Sequence, residues 1–303
     1  YNIALFLSFT LLFFGCNINS DDAPENEENP NVPGTIYGSS TISLEEAYGA
    51  LKTALENNAQ IGIVAEVDHA QNAGSISKEL GPTKIIFFGN PNLGTPLMQE
   101  NQLAGLDLPQ KVLFYEDKGQ VFAIYNGTEY LASRHALAGT ENLNQISGAL
   151  ENLVGEAIKG ELESSISQSV TASEGIINIT SSKEFEATYQ SLKTIISGNE
   201  NLAILAELDH QANAQSRGLE LRSTKIIIFG NPNLGTPLMQ ESQSIGLDLP
   251  QKILVWEDAD GKVHLSYDDP EFLKLRHGIN ESDEEIQQIS NALQNISEAA
   301  AAN

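Results

Sequence analysis

Apolar positions along this chain recur with two spacings, and the switches between them outline a fold. Ser43-Leu44-Glu45-Glu46 reads as a capping box, and Leu44, Ala47, Tyr48, Leu51 and Leu55 then fall on one face of a helix. Phe185, Tyr189, Leu192 and Ile196 repeat that face further on. Residues 61–68 and 84–88 are apolar runs of strand length, and 111–117 with 120–125 flank Lys118-Gly119 as a hairpin. A second hairpin turns at Asp260-Gly261, and residues 35–40 and 175–180 each supply one more strand. Two stripes, Leu143, Ile146, Leu150, Leu153, Ala157 and Ile286, Ile289, Leu293, Ile296, Ala300, step by three and four. Each lasts barely two heptads, which suits a helix covering a sheet better than a coiled-coil seam. Strand, helix, three or four strands and a closing helix predict an α+β class, with helices on one face of a mainly antiparallel sheet.

The order appears twice because the sequence does. Thr83-Lys-Ile-Ile-Phe-Phe-Gly-Asn-Pro-Asn-Leu-Gly-Thr-Pro-Leu-Met-Gln-Glu100 returns at residues 224–241 with a single change, Phe87 to Ile228. Gly105-Leu-Asp-Leu-Pro-Gln-Lys111 returns at 246–252, Ala65-Glu66-Val67-Asp68-His69 returns as Ala206-Glu207-Leu208-Asp209-His210, and Arg134-His135 returns as Arg276-His277. A period of this length exceeds the 20–50 residues of solenoid repeats, so the copies are whole domains in tandem, over 36–165 and 174–303.

These segments together resemble the family called domain of unknown function 302, and do so in both halves. The resemblance implies a β-α-β4-α fold of the TATA-binding-protein-like type and no particular activity. Copy one departs from it at Tyr125-Asn126-Gly127-Thr128-Glu129, where copy two keeps Tyr267-Asp268-Asp269-Pro270-Glu271.

The N-terminal stretch has a different character. Residues 3–14 are almost wholly apolar, too short for the roughly 20 residues of a membrane span but suited to a signal-peptide core. Phe13-Phe14-Gly15-Cys16 then resembles a bacterial lipobox, so residues 1–16 are expected to be a lipoprotein signal, incomplete at Tyr1, with Cys16 carrying lipid. Residues 17–35, rich in Asn, Asp, Glu and Pro, are expected to form a disordered acidic tether. The expected location is the bacterial cell envelope at the outer membrane.

Composition narrows the function classes. With 41 acidic and 16 basic side chains the net charge is −25, and no basic run offsets it, so nucleic acid is not an expected partner. One cysteine excludes a disulfide scaffold.

Candidate chemistry lies in the repeated polar residues. Asn90-Pro91-Asn92-Leu93-Gly94-Thr95-Pro96 reads as a loop entering a helix, with Thr95 as N-cap and Pro96 in the first turn, and such a helix start can also take an anion. Asn231, Asn233 and Thr236 repeat it. On the second strand, Glu66 and Asp68 point to one face roughly 7 Å apart and His69 to the other. Two acids so placed suit acid and base work, or a metal completed by His135. Arg134 suits a carboxylate partner that fixes the last helix to the sheet. Glu207, Asp209, His210, Arg276 and His277 are the counterparts, and His264, unmatched in copy one, is expected at the surface. There is no Gly-x-Ser-x-Gly elbow and no His-Glu-x-x-His. The expectation is an envelope lipoprotein whose modules bind a small molecule or an envelope protein and pack on each other as a pseudo-dimer. The alternative is a metal-assisted enzyme using the Glu/Asp/His set, and no cofactor is named by any motif.

Overall fold

The computed structural model describes residues 29–137, 141–166 and 170–303. The first copy runs β1 (Thr35–Ser40), α1 (Leu44–Glu56), β2 (Gly62–Asp68), α2 (His69–Ser75), β3 (Thr83–Gly89), α3 (Pro91–Glu100), a 3-10 turn (Gln102–Leu106), β4 (Gln110–Asp117), β5 (Gln120–Asn126), α4 (Thr128–Arg134), α5 (Glu141–Ile158) and a short β6 (Glu163–Ser164). The second runs β7 (Ile176–Thr180), α6 (Phe185–Ser197), β8 (Ala203–Asp209), α7 (His210–Gln215), β9 (Thr224–Gly230), α8 (Pro232–Glu241), a 3-10 turn (Gln243–Leu247), β10 (Gln251–Glu257), β11 (Val263–Asp268), α9 (Pro270–His277) and α10 (Asp283–Ala301). The sheets have the orders β2-β3-β4-β5-β1-β6 and β7-β11-β10-β9-β8, with antiparallel neighbours throughout. The α+β expectation therefore holds in both halves.

One face of each sheet carries helices. In copy one Ile86, Phe88, Val112 and Phe114 meet Leu51 and Leu55 of α1 and Leu150 and Val154 of α5. Each such side chain contributes about 1.5–3 kcal/mol by leaving water. The capping box opens α1 as expected, with Ser43 accepting from the Glu46 amide at 3.3 Å.

The other face is closed by the other copy. Ile85, Phe87, Leu113, Tyr115, Phe122 and Ile124 share a cluster with Ile228 and Leu247 of the second module, and Leu106 of the first sits with Ile226 and Leu254. This explains why β3 reads Ile-Ile-Phe-Phe without alternation: a strand buried on both faces has no polar side. The 3-10 turns press against the other module. A Cβ on Gly105 would lie 3.0 Å from Leu254 and 3.3 Å from the Met98 sulfur, and one on Gly246 3.1 Å from Leu113. Beside them Gln102 donates to Thr224 at 2.9 Å, and Gln243 donates to Thr83 at 2.8 Å, the same bond in reverse direction between copies.

Three local expectations are corrected. Residues 29–35 are not part of a tether: Val32 is buried with its amide on the Ser165 hydroxyl, and Asn29 donates to the Ser165 carbonyl. Val32 finds an apolar niche that the acidic average of its neighbours conceals. Residues 17–28, with the leader and Cys16, lie outside the described residues. Helix α3 starts one turn earlier than the Thr95 cap implied, because Asn90 supplies the capping oxygen to Asn92 and Pro91 takes the first position, leaving Thr95 buried inside the helix. His264 is buried rather than superficial, stacked on Trp256 at 4.5 Å between centroids and bonded to Asp258 at 2.9 Å.

Candidate functional site between the two modules

The repeated polar residues fall into three groups, and two of them lie between the modules. The first group is local. Glu66 accepts from Tyr48 at 2.8 Å and from Lys52 at 2.8 Å, both on α1. Burial opposes ionisation of Glu66, but these donors outweigh it and hold the carboxyl below its usual range. Asp68 caps α2 through the Gln71 amide and lies 3.4 Å from Lys84. Glu207 and Asp209 repeat both arrangements, with Tyr189, Lys193 and Ala212 as donors. In copy one Glu66 and Asp68 are thus taken up by α1 and α2 while His69 faces the second module, so the three do not converge on one centre. Among the described residues no group of three potential ligands is placed to hold a metal.

The second group is a buried charge network in the interface. Arg134 donates to Asp107 at 2.8 Å and, across the interface, to Asp268 at 2.8 Å. Arg276 donates to Asp248 at 2.7 Å and, across the interface, to the Asn126 carbonyl oxygen at 2.7 Å. His135 binds Asp107 at 2.7 Å, and His277 binds Asp248 at 2.9 Å. Lys111 reaches Asp248 of the second copy at 2.8 Å, whereas Lys252 turns to Asp268 of its own copy at 3.1 Å. Tyr130 lies between the guanidinium groups, 4.1 Å from Arg276 and 5.7 Å from Arg134. Burial would raise the carboxyls of Asp107 and Asp248, yet the surrounding cations hold both well below the ordinary range. Arg134 was expected to tie a helix to its own sheet; it also ties one module to the other.

The network is nearly symmetric, and its flaws trace to single residues. Asn126 stands where copy two has Asp268, so three carboxylates face four cations. Burial pulls the Lys111 ammonium below its usual range despite Asp248, while Asp268 and Asp248 outweigh burial and raise Lys252. Ser244 bonds the free nitrogen of His277 at 3.0 Å, but Leu103 occupies the equivalent place, and His135 Nδ1 lacks a partner among the described residues.

The third group lines two cavities, each built by both modules. The larger, about 550 Å³, is walled by Ile63, Phe88, Leu93 and Met98 with Leu150 and Leu153 of α5, and the second module closes it with Glu207, His210, Asn213 and Arg217. The smaller, about 130 Å³, is its counterpart, where Asn231, Thr236, Met239, Leu293 and Ile296 meet His69 and Asn72 of the first module. Asn90 and Thr95 line the larger cavity, while Asn92 and Asn233 are exposed and only donate their amides to the capping Asn90 and Asn231. His210 is 4% exposed, and its Nε2, with Thr95 Oγ1 and Gln110 Nε2, has no hydrogen-bond partner among the described residues. Burial depresses the imidazoles of His69 and His210 to about 4, against nearby backbone of Gly246 and Gly105, so both are neutral at pH 7.

Sequence reasoning passed over Asp107, Gln110, Lys111, Arg217, Asp248, Lys252 and Asp268. A carboxylate set alone between leucines, as in Gly-Leu-Asp-Leu-Pro, is the pattern of a buried ion pair and marks the first of these.

Two α+β modules joined back to back, sharing a charged centre and two cavities, define the class of protein. Residues 37–153 and 177–299 each match the family model described as "Domain of unknown function DUF302", so the chain belongs to that family in two tandem copies. It is 50% identical over 76 residues to the "Fluoride-specific ion channel FluC 1" of Brucella suis biovar 1 (strain 1330), which covers 25% of this chain and 30% of that protein. The same identity relates it to the "Fluoride-specific ion channel FluC 2" of Brucella melitensis biotype 1, over 28% of that protein. The chain spans less than a third of the length of these relatives. A crystal structure of a conserved DUF302 protein from Bacillus stearothermophilus matches 42% of this chain and 98% of its own, at 18% identity and a TM-score of 0.39.

Proposed function

We propose that this protein binds a small molecule between its two DUF302 modules, and that it does so in the cell envelope, held to a membrane by lipid on Cys16. The observation that carries the binding reading is the larger cavity. A volume of about 550 Å³ falls in the range of ligand sites, and its walls are apolar with a few convergent polar groups. Three of those groups are buried with an unpartnered polar atom, which costs about 1–3 kcal/mol each unless something supplies the missing bond. The anchor reading rests on the apolar run ending in Gly15-Cys16 and the acidic stretch after it. Among the described residues no helix is long and apolar enough to cross a membrane.

The probe 8-anilinonaphthalene-1-sulfonate tests the site. Its fluorescence should rise saturably with the native chain, fall to background with Ala149→Phe, which fills the larger cavity, and persist with Ala292→Phe at the equivalent place in the smaller one. Equal fluorescence from all three, with unchanged circular dichroism, would reject the site. For the anchor, the mass of the mature protein extracted from membranes should show acyl chains that Cys16→Ser removes; an unmodified native N-terminus rejects it.

A further inference from the structure

The two cavities are equivalent by descent and unequal in chemistry. We infer that the larger one is the single working site of the chain and takes an amphipathic carboxylate, its anionic group at Arg217 and an acceptor oxygen at the far, buried end of an apolar body. This rests on the small-molecule reading above and adds the class of ligand.

Arg217 stands at the exposed edge of the larger cavity, just beyond α7. Its side chain forms no hydrogen bond or ion pair among the described residues. The acid that lines the same cavity, Glu207, is already committed to Tyr189 at 2.7 Å and Lys193 at 2.7 Å. Copy one carries Ile76 at the position of Arg217, so the smaller cavity has no cation there, and at about 130 Å³ it lies below the usual size of a ligand site. The polar atoms at the buried end are of one kind. Gln110 Nε2 is a donor, Thr95 Oγ1 and a neutral His210 Nε2 can each donate, and all three lack partners among the described residues. The smaller cavity keeps His69 Nε2 and Thr236 Oγ1 unpartnered in the same way, and it differs at Gln251, the counterpart of Gln110, which has no such atom among the described residues. His210 opens α7 and is buried, whereas Arg217 lies past the far end of the same helix and is exposed. The same cavity is lined by the side chains of Ile63, Phe88, Leu93, Met98 and Leu150. Donors at one end, a cation at the other and hydrocarbon between describe a ligand with an acceptor, an apolar spacer and an anion.

Isothermal titration with three ten-carbon probes tests this: 10-hydroxydecanoate, decanoate and 1,10-decanediol. One 10-hydroxydecanoate should bind per chain. The diol, which lacks the anion, should bind at least tenfold more weakly, and decanoate, which lacks the acceptor oxygen, should fall between. Arg217→Ile, a surface change that copies Ile76, should bring 10-hydroxydecanoate down to the affinity of the diol and leave the diol unchanged. Equal binding of acid and diol, no effect of Arg217→Ile, or two equivalents per chain would each overturn the inference and leave the cavity as a binding site. If none of the three binds while the anilinonaphthalene probe still does, the ligand class is wrong; if that probe also fails, the site itself is.

Discussion

The charged centre of the interface and the two cavities draw on the same repeated set of polar residues, and they differ in how those residues are satisfied. In the centre, Asp248 accepts from Lys111, Arg276 and His277, all within 2.9 Å. The unpartnered atoms there sit mostly on side chains whose other polar atom is engaged: Asp107 Oδ1, Asn126 Nδ2 and His135 Nδ1. In the larger cavity, Thr95 has one hydroxyl and nothing among the described residues bonds it. Paired burial belongs to holding two modules together, and unpaired burial beside open volume belongs to receiving something from outside. Which of the two a polar residue serves follows from its partners in space, and type and spacing along the chain do not separate them.

Changes in the centre should therefore cost stability, while changes in the cavity should cost ligand. The largest effect is expected from Asp248→Ala, which strands Lys111 and Arg276 in a dry interface and should destabilise by about 3–5 kcal/mol in urea unfolding. Asp107→Ala should cost less, because Arg134 keeps the Asp268 carboxylate while Arg276 keeps neutral acceptors, Asn126 and the Pro33 carbonyl. Equal costs would break the asymmetry traced to Asn126.

Acid gives the next effect. His69 and His210 have folded pKa values near 4, below the ordinary 6.5, so the unfolded chain binds protons first. Their neutral burial costs nothing above pH 6.5, and stability should then fall as pH drops from 6.5 to 4, by roughly 3 kcal/mol per histidine. Asp107 and Asp248, held well below their usual range, add their loss only at lower pH. The pair His69→Gln and His210→Gln should flatten the curve above pH 4; an unchanged slope would show that these rings are not buried between the modules.

Gly105→Ala should cost about 1 kcal/mol or somewhat more by crowding Leu254 and the Met98 sulfur where the 3-10 turn enters the other module. Thr95→Val, finally, should leave the unliganded protein unchanged or stabilise it by up to about 1 kcal/mol, since it removes an unpartnered hydroxyl of similar shape. A loss of more than 1 kcal/mol on thermal melting would mean that Thr95 is satisfied without a ligand.

The fold was legible because periodicity records burial: the stripes on α1, α5, α6 and α10 and the hairpins at Lys118-Gly119 and Asp260-Gly261 stand where expected. The duplication made the packing of copies on each other an open expectation, and the unbroken apolar run in β3 shows in hindsight where they meet. The cavities were not legible, because each is completed by residues far along the chain in the other copy, as His210 is to Thr95. Glu66 and Asp68 looked like acid chemistry by their alternation on a strand, yet Tyr48, Lys52 and the first turn of α2 claim them, and no pattern along a single strand predicts a neighbour on a helix. Arg217 is matched by Ile76 in copy one, so repetition of polar residues does not single out the side chain that makes the two cavities differ.

The most direct test of a ligand site shared by the modules is a crystal structure of the chain with saturating 10-hydroxydecanoate. Density should fill the larger cavity, with the carboxylate against Arg217 and the hydroxyl among Thr95, Gln110 and His210, and the smaller cavity should hold none. Density in both cavities alike, or a larger cavity without ligand while the acid sits elsewhere on the surface, would contradict the account.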